Sequence, residues 1–203
     1  DGIASAVNRP QIAGFYEDYI VFQIREFDAP DARRRLLAEN ALQVAQILRA
    51  DGDLHSQQEV DDSLACQISY GAEDLTLADW VSALVFDKTA DDTRAVLEFA
   101  QVQLLELRHL DQQLDAALET CYEALTRRSR RRFGLPASSD GELKKIGQLQ
   151  VESAVLFEGI YNALKLLGDQ YLARLYEKLA KRYHLGSWDE SILRKLRTLE
   201  SIY

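Results

Sequence analysis

Methionine is absent from the 203 residues, and cysteine, tryptophan and proline are scarce, with two, two and three copies. Cys66 and Cys121 match neither a disulfide framework nor a metal-ligand spacing. Each lies in an apolar pattern, so two buried, inert thiols in a reducing compartment are expected. The three histidines, His55, His109 and His184, lack the four-residue spacing of helical metal ligands and read as structural. There is no phosphate-binding loop, no dinucleotide fingerprint and no serine in a nucleophile elbow. The sequence therefore implies no cofactor, no metal and no small-molecule substrate. No run of about 18 apolar residues occurs, so no stretch of it is read as spanning a membrane, and no signal peptide is read. A net charge of −9 argues against a nucleic-acid coat, and nucleic acid is not an expected partner. Hydrophobic content of 47% with 28% charged residues fits an ordinary folded chain and argues against disorder.

What the sequence does hold is one long uninterrupted stripe. From Ala90 to Arg132 there is neither glycine nor proline. Apolar residues recur every three or four positions at Leu97, Ala100, Leu104, Leu107, Leu110, Leu114, Ala117, Cys121 and Ala124, which predicts one helix of roughly ten turns. Such a stripe needs partner helices. After Phe133-Gly134-Leu135-Pro136, a second stripe runs from Ile146 through Ser153, Ile160, Leu167 and Leu175 to Tyr183, predicting an unbroken limb over 140–184 of roughly 65 Å. Ser139 with Glu142 is a capping box for it. Gly186 is read as a helix stop, and Ser187 with Glu190 as the cap of a last helix carrying Ile192, Leu196, Leu199 and Tyr203.

The first third reads differently. Phe15–Phe27 alternates at Ile20, Phe22 and Ile24, as a strand does. A helix from Asp31 ends at Gly52, and Ser56 with Glu59 caps a short helix. Cys66–Tyr70 and Leu75–Phe86 read as a strand pair, the second run alternating in both registers as expected for a strand covered on both faces or closely paired. The fold class is thus α+β and mainly α: a small unit over 14–88, then a coiled-coil-like antiparallel hairpin of long helices and a third helix over 89–203.

Two charged clusters stand out. Asp111, Asp115, Glu119 and Glu123 repeat every four residues on the long helix. Like charges at that spacing repel, and Lys144, Lys145, Arg174, Lys178, Lys181 and Arg182 are on offer to offset them. An inter-helix or solvated charge row is the favoured reading, with a divalent-cation site as the sharper alternative. Arg127, Arg128, Arg130, Arg131 and Arg132 end the same helix, where cations suit its dipole. They also make the one candidate patch for anionic lipid or a partner. Trp80 and Trp188 are expected to be core or anchor residues, and Glu73 with Asp74 sits beside a turn.

Two segments carry a family likeness: Asn162–Tyr176 with Trp188, Arg194-Lys195-Leu196 and Ile202-Tyr203, and Val96–Arg108. They resemble a group of bacterial membrane-anchored proteins that is similar to the required-for-meiotic-nuclear-division family of inner-membrane proteins. The resemblance implies an α+β domain, a coiled coil, hydrophobic helices beyond Tyr203 and no enzymatic activity. It transfers no functional residue, and the translation support linked to the mitochondrial members is not carried over. With the uncapped last helix, it leads to one expectation: the cytoplasm-facing part of a homo-oligomeric scaffold at the inner (plasma) membrane. The alternative is the cytoplasmic domain of a divalent-cation channel or transporter, with an enzyme in third place.

Overall fold

The computed structural model describes residues 16–26, 32–53, 56–71, 74–130, 140–166 and 168–202. Alternating side chains build one sheet from β1 (Ile20–Ile24), β2 (Gln67–Ile68), β3 (Leu75–Ala78) and β4 (Ser82–Phe86), in the order β1-β4-β3-β2. β1 runs parallel to β4, with Val21 opposite Ala83 and Ile24 opposite Phe86. The β2–β3 and β3–β4 pairs are antiparallel. A parallel pair requires a crossover, and here it contains α1 (Ala32–Arg49) and α2 (Gln57–Ser63).

The expected single strand over Leu75–Phe86 is instead two strands. Asp79-Trp80-Val81 turns the chain, and the Asp79 N–H donates to the Ser82 carbonyl at 2.9 Å. Alternation in both registers reflects two closely paired strands, of which β4 is covered on both faces. The period of two then sorts β4 cleanly. Leu84 and Phe86 join Leu77 in a cluster with Val44 and Leu48 of α1. Ala83 and Val85 join the larger core on the opposite face.

That larger core is organised by α3 (Asp91–Arg130), whose 40 residues span about 60 Å. Val96, Leu97, Ala100, Leu104, Leu107, Leu110, Leu114, Ala117 and Cys121 are all buried, so the stripe seen in the sequence is the buried face as far as Cys121, and the Ala124 side chain lies outside the described residues. α4 (Asp140–Leu166) returns along the distal half, where Ile146, Leu149 and Ser153 are buried. α5 (Gln170–Arg182) and α6 (Leu185–Ile202) then lie along α3 in succession. The fold is α+β with helices predominating, and the core runs without a gap from sheet to helices.

The long second limb is interrupted. Gly168 and Asp169 separate α4 from α5, and Asp169 Oδ1 accepts the N–H groups of Tyr171 (2.7 Å) and Leu172 (3.1 Å). This N-cap stops one helix and starts the next. The apolar period continues across the break, which is why periodicity alone predicted a single rod. The start of α6 also differs from expectation. Gly186 and Ser187 lie inside it, and the left-handed residue between α5 and α6 is His184, at φ 53°. Likewise α1 ends at left-handed Ala50 (φ 50°), before Gly52. The α2 cap is as expected, with Ser56 Oγ accepting the Glu59 N–H at 3.1 Å. Ser139 and Tyr203 lie outside the described residues. Among the described residues no helix is long and apolar enough to cross a membrane.

Leu104 is buried while its neighbour Val102 is half-exposed. Leu104→Ala should therefore cost about 2–5 kcal/mol, and Val102→Ala less than about 1 kcal/mol. Urea-unfolding midpoints of the two variants check the contrast.

Candidate functional site at the Asp79–Trp80 turn

Turning the chain between β3 and β4 places a carboxylate inside the protein. The Asp79 side chain is fully buried, and a charge there must be paired and hydrogen-bonded. Its Oδ1 accepts the Trp80 N–H (2.8 Å) and the Arg182 Nε–H (2.9 Å), and its Oδ2 accepts from Arg49 Nε (3.0 Å). Arg182 comes from the last turn of α5 and Arg49 from the last turn of α1. Both arginines reach on to α2. Arg182 holds Asp62 through two nitrogens at 3.0 and 2.9 Å, while Arg49 binds Asp62 at 2.6 Å and also Glu59. Five charged groups from four segments thus lock together.

The electrostatics follow the hydrogen bonds. Those from Arg182 hold the Asp62 carboxyl below the usual range. Burial opposes the charge on Arg182, but its bonds to Asp62 and Asp79 outweigh that, and it stays protonated more firmly than a free guanidinium. Behind the clamp, the Tyr19 and Tyr183 hydroxyls lie 3.1 Å apart, and Tyr183 Oη donates to the Asp79 carbonyl at 3.3 Å. Burial pushes Tyr183 up to about 12 and raises Tyr19 as well. Burial also raises the Cys66 thiol, which keeps it neutral and inert.

The outer side of the turn is aromatic. The Arg108 guanidinium sits 5.8 Å from the Trp80 ring centre and 5.9 Å from that of Trp188, between two indoles, and pairs with Glu17. Trp80 also meets the rings of Tyr183 (5.6 Å) and His184 (6.0 Å). Chemically this is a clamp with a half-exposed contact surface. Asp79 accepts from the arginines on both of its oxygens.

The residues singled out in the sequence are placed elsewhere. Asp111 and Asp115 share Lys195 of α6, whose Nζ lies 2.7 and 2.6 Å from them. The row is therefore an inter-helix ion pair at its near end, but its cation is not one of those the sequence offered; Arg182 belongs to Asp79 and Asp62. Among the described residues no three His, Cys, Asp or Glu side chains converge as a metal site would require. Of the arginine run, Arg127, Arg128 and Arg130 lie in the last turn of α3; their side chains, and all of Arg131 and Arg132, lie outside the described residues. His55 and Glu73 lie outside them too. Asp74 closes a turn by accepting the N–H groups of Tyr70 (2.6 Å) and Gly71. His109 Nε2 lies 3.1 Å from Gln113 on the same helix. Sequence reasoning missed the joining of Trp80, Arg108 and Trp188. The one local signal was Asp79, a charge in the middle of an apolar run.

Comparison with known proteins adds two likenesses. A family model described as the N-terminal domain of uncharacterized protein MJ0711 matches residues 1–93. The match takes in the whole sheet and ends in the first turn of α3, short of the helices that cover the Ala83–Val85 face. Over 195 residues the chain is 27% identical to the uncharacterized protein MJ0711 of Methanocaldococcus jannaschii, an alignment covering 93% of this chain and 57% of that relative. The chain thus spans little more than half the relative's length. No solved structure matches.

Removing Asp79 strands two arginines, so Asp79→Ala should destabilise the fold by about 3–5 kcal/mol in chemical denaturation. Asp62 is half-exposed, so solvent limits Asp62→Asn to about 0.5–1 kcal/mol. Its carboxyl is depressed in the fold, so that stability is present above the unfolded value near about 4 and lost as pH falls through the lower folded value. The gap between variant and parent should be constant at neutral pH and close below about pH 4. For Tyr183 the sign is reversed: its neutral form is the folded one, so stability falls as pH rises from about 10 towards 12. Tyrosinate absorbance should show Tyr183 among the late-titrating tyrosines with Tyr19, and Tyr183→Phe should reduce that late fraction by one tyrosine.

Proposed function

We propose that this chain is a non-enzymatic interaction module, the cytoplasm-facing part of a homo-oligomeric scaffold anchored in the inner (plasma) membrane by a segment outside residues 1–203. One observation carries the reading. The helices bury an almost continuous inner face yet keep large apolar side chains on their outer faces, among them Val102, Tyr122, Val151, Val155, Tyr161 and Leu193. Exposed apolar side chains one turn apart, as Val151 and Val155 are on α4, suit contact with other chains. The half-exposed Trp80–Arg108–Trp188 stack adds residue types that dominate protein contacts. The most buried polar cluster, by contrast, is fully engaged in holding segments together. The resemblance of Asn162–Tyr176 and Val96–Arg108 to bacterial membrane-anchored proteins, and through them to the required-for-meiotic-nuclear-division family, supports the anchoring part. The archaeal relative has more than a third of its length outside the match, so a further segment has room there.

Fractionation of cells expressing the full-length gene product tests the anchor. It should stay with membranes through high-salt and alkaline-carbonate washes. Release by carbonate would contradict it. Sedimentation of residues 1–203 should give a mass above the monomer, and a strict monomer at every concentration would contradict the oligomer.

A further inference from the structure

Among the described residues α4 packs chiefly on α3. Its inner face places Ile146, Leu149 and Ser153 in the core, and Gln150 reaches Glu200 of α6 at 2.8 Å. The outer face is apolar at its centre: Val151 and Val155, one turn apart, are 63% and 65% exposed. Gly147 lies one turn before Val151, and a Cβ built on it meets nothing within 4 Å. At about 100° per residue, Lys144 and Glu158 fall on this same outward line, one at each end of it, and both are exposed. The stripe therefore reads cation, glycine, valine, valine, anion.

From that order we infer that α4 is a self-recognition face, on which two copies of this chain pair in antiparallel fashion about a two-fold axis at Val151. The inference rests on the oligomer reading above and names its contact. With Val151 opposite itself, Lys144 of each copy meets Glu158 of its partner, so both ends of the contact are ion pairs. Gly147 then faces Val155, and a missing side chain opposite a branched one lets the helices approach to about 8–10 Å. A parallel pairing would set lysine on lysine and glutamate on glutamate, which charge forbids. A two-fold contact must be self-complementary, and this sequence is. Three helical turns make a small interface, so the pairing is weak in free solution. Attachment of both copies to one membrane raises their effective concentration and strengthens it.

The test uses the chain of residues 1–203 carrying Val151→Cys. Under mild oxidation this variant should form a disulfide-linked dimer, because the two-fold axis sets residue 151 against itself, whereas a Val102→Cys control should not. Glu158→Lys should weaken self-association about tenfold by sedimentation, and the added Lys144→Glu should restore it. Gly147→Leu should abolish pairing without lowering the melting temperature, since its own chain leaves the space open. An oligomer that neither crosslinks at residue 151 nor responds to Glu158→Lys overturns this face and leaves the oligomer reading standing. A strict monomer at all concentrations overturns both.

Discussion

The burial of one helical stripe constrains everything else in this molecule. From Val96 to Cys121 the inner face of α3 is apolar at every turn, and several elements share in covering it. The chain covers it piecewise: the sheet and α5 on the proximal part, α6 from Arg108 past Asp115, and α4 beside α6 on the distal part. Each fully buried leucine withdrawn from water contributes roughly 1.5–3 kcal/mol, so the row from Leu97 to Leu114 outweighs any polar contact in the fold. The sheet is shaped by the same demand. Its helix-side positions on the central strand are the small Ala83 and medium Val85, while Leu84 and Phe86 go to the α1 side.

Apolar burial does not choose orientation, and the Asp79 clamp supplies that choice. A buried carboxylate tolerates only an arrangement in which both arginines arrive, one from the end of α1 and one from the end of α5. The first third of the chain and the last are thereby fixed against each other at a single turn. Tyr19 and Tyr183 repeat the connection beside it through their hydroxyls. His184 holds a left-handed backbone where glycine would be easier, and its ring lies against Trp80. The bend between α5 and α6 is therefore set by the same cluster that fixes the turn. The half-exposed Trp80–Arg108–Trp188 stack is the outward edge of this joint.

Much of this was legible in the residues, and the failures have physical causes. The α3 stripe and the Ser56 cap are local and strong, and both appear as read. The β3–β4 turn was hidden because alternation survives on either side of it, although Asp79 in an apolar run marked the place. The break at Gly168–Asp169 was hidden because the apolar period passes through it unchanged; only the cap signal of Asp169 betrayed it. The cation facing Asp111 and Asp115 came from α6, because which helix lies beside which is decided by packing and not by sequence distance. The stacking of Arg108 between two tryptophans had no local signature at all.

α3 is a single spine on which sheet and helices fold as one cooperative unit. Native-state hydrogen exchange tests it most directly. Backbone amides of α3 between Val96 and Leu114 and those of β4 should share the slowest exchange, with the same free energy of opening and the same response to denaturant. If β4 keeps its protection while that stretch of α3 opens at markedly lower denaturant, the sheet is a separate unit and the spine account is wrong.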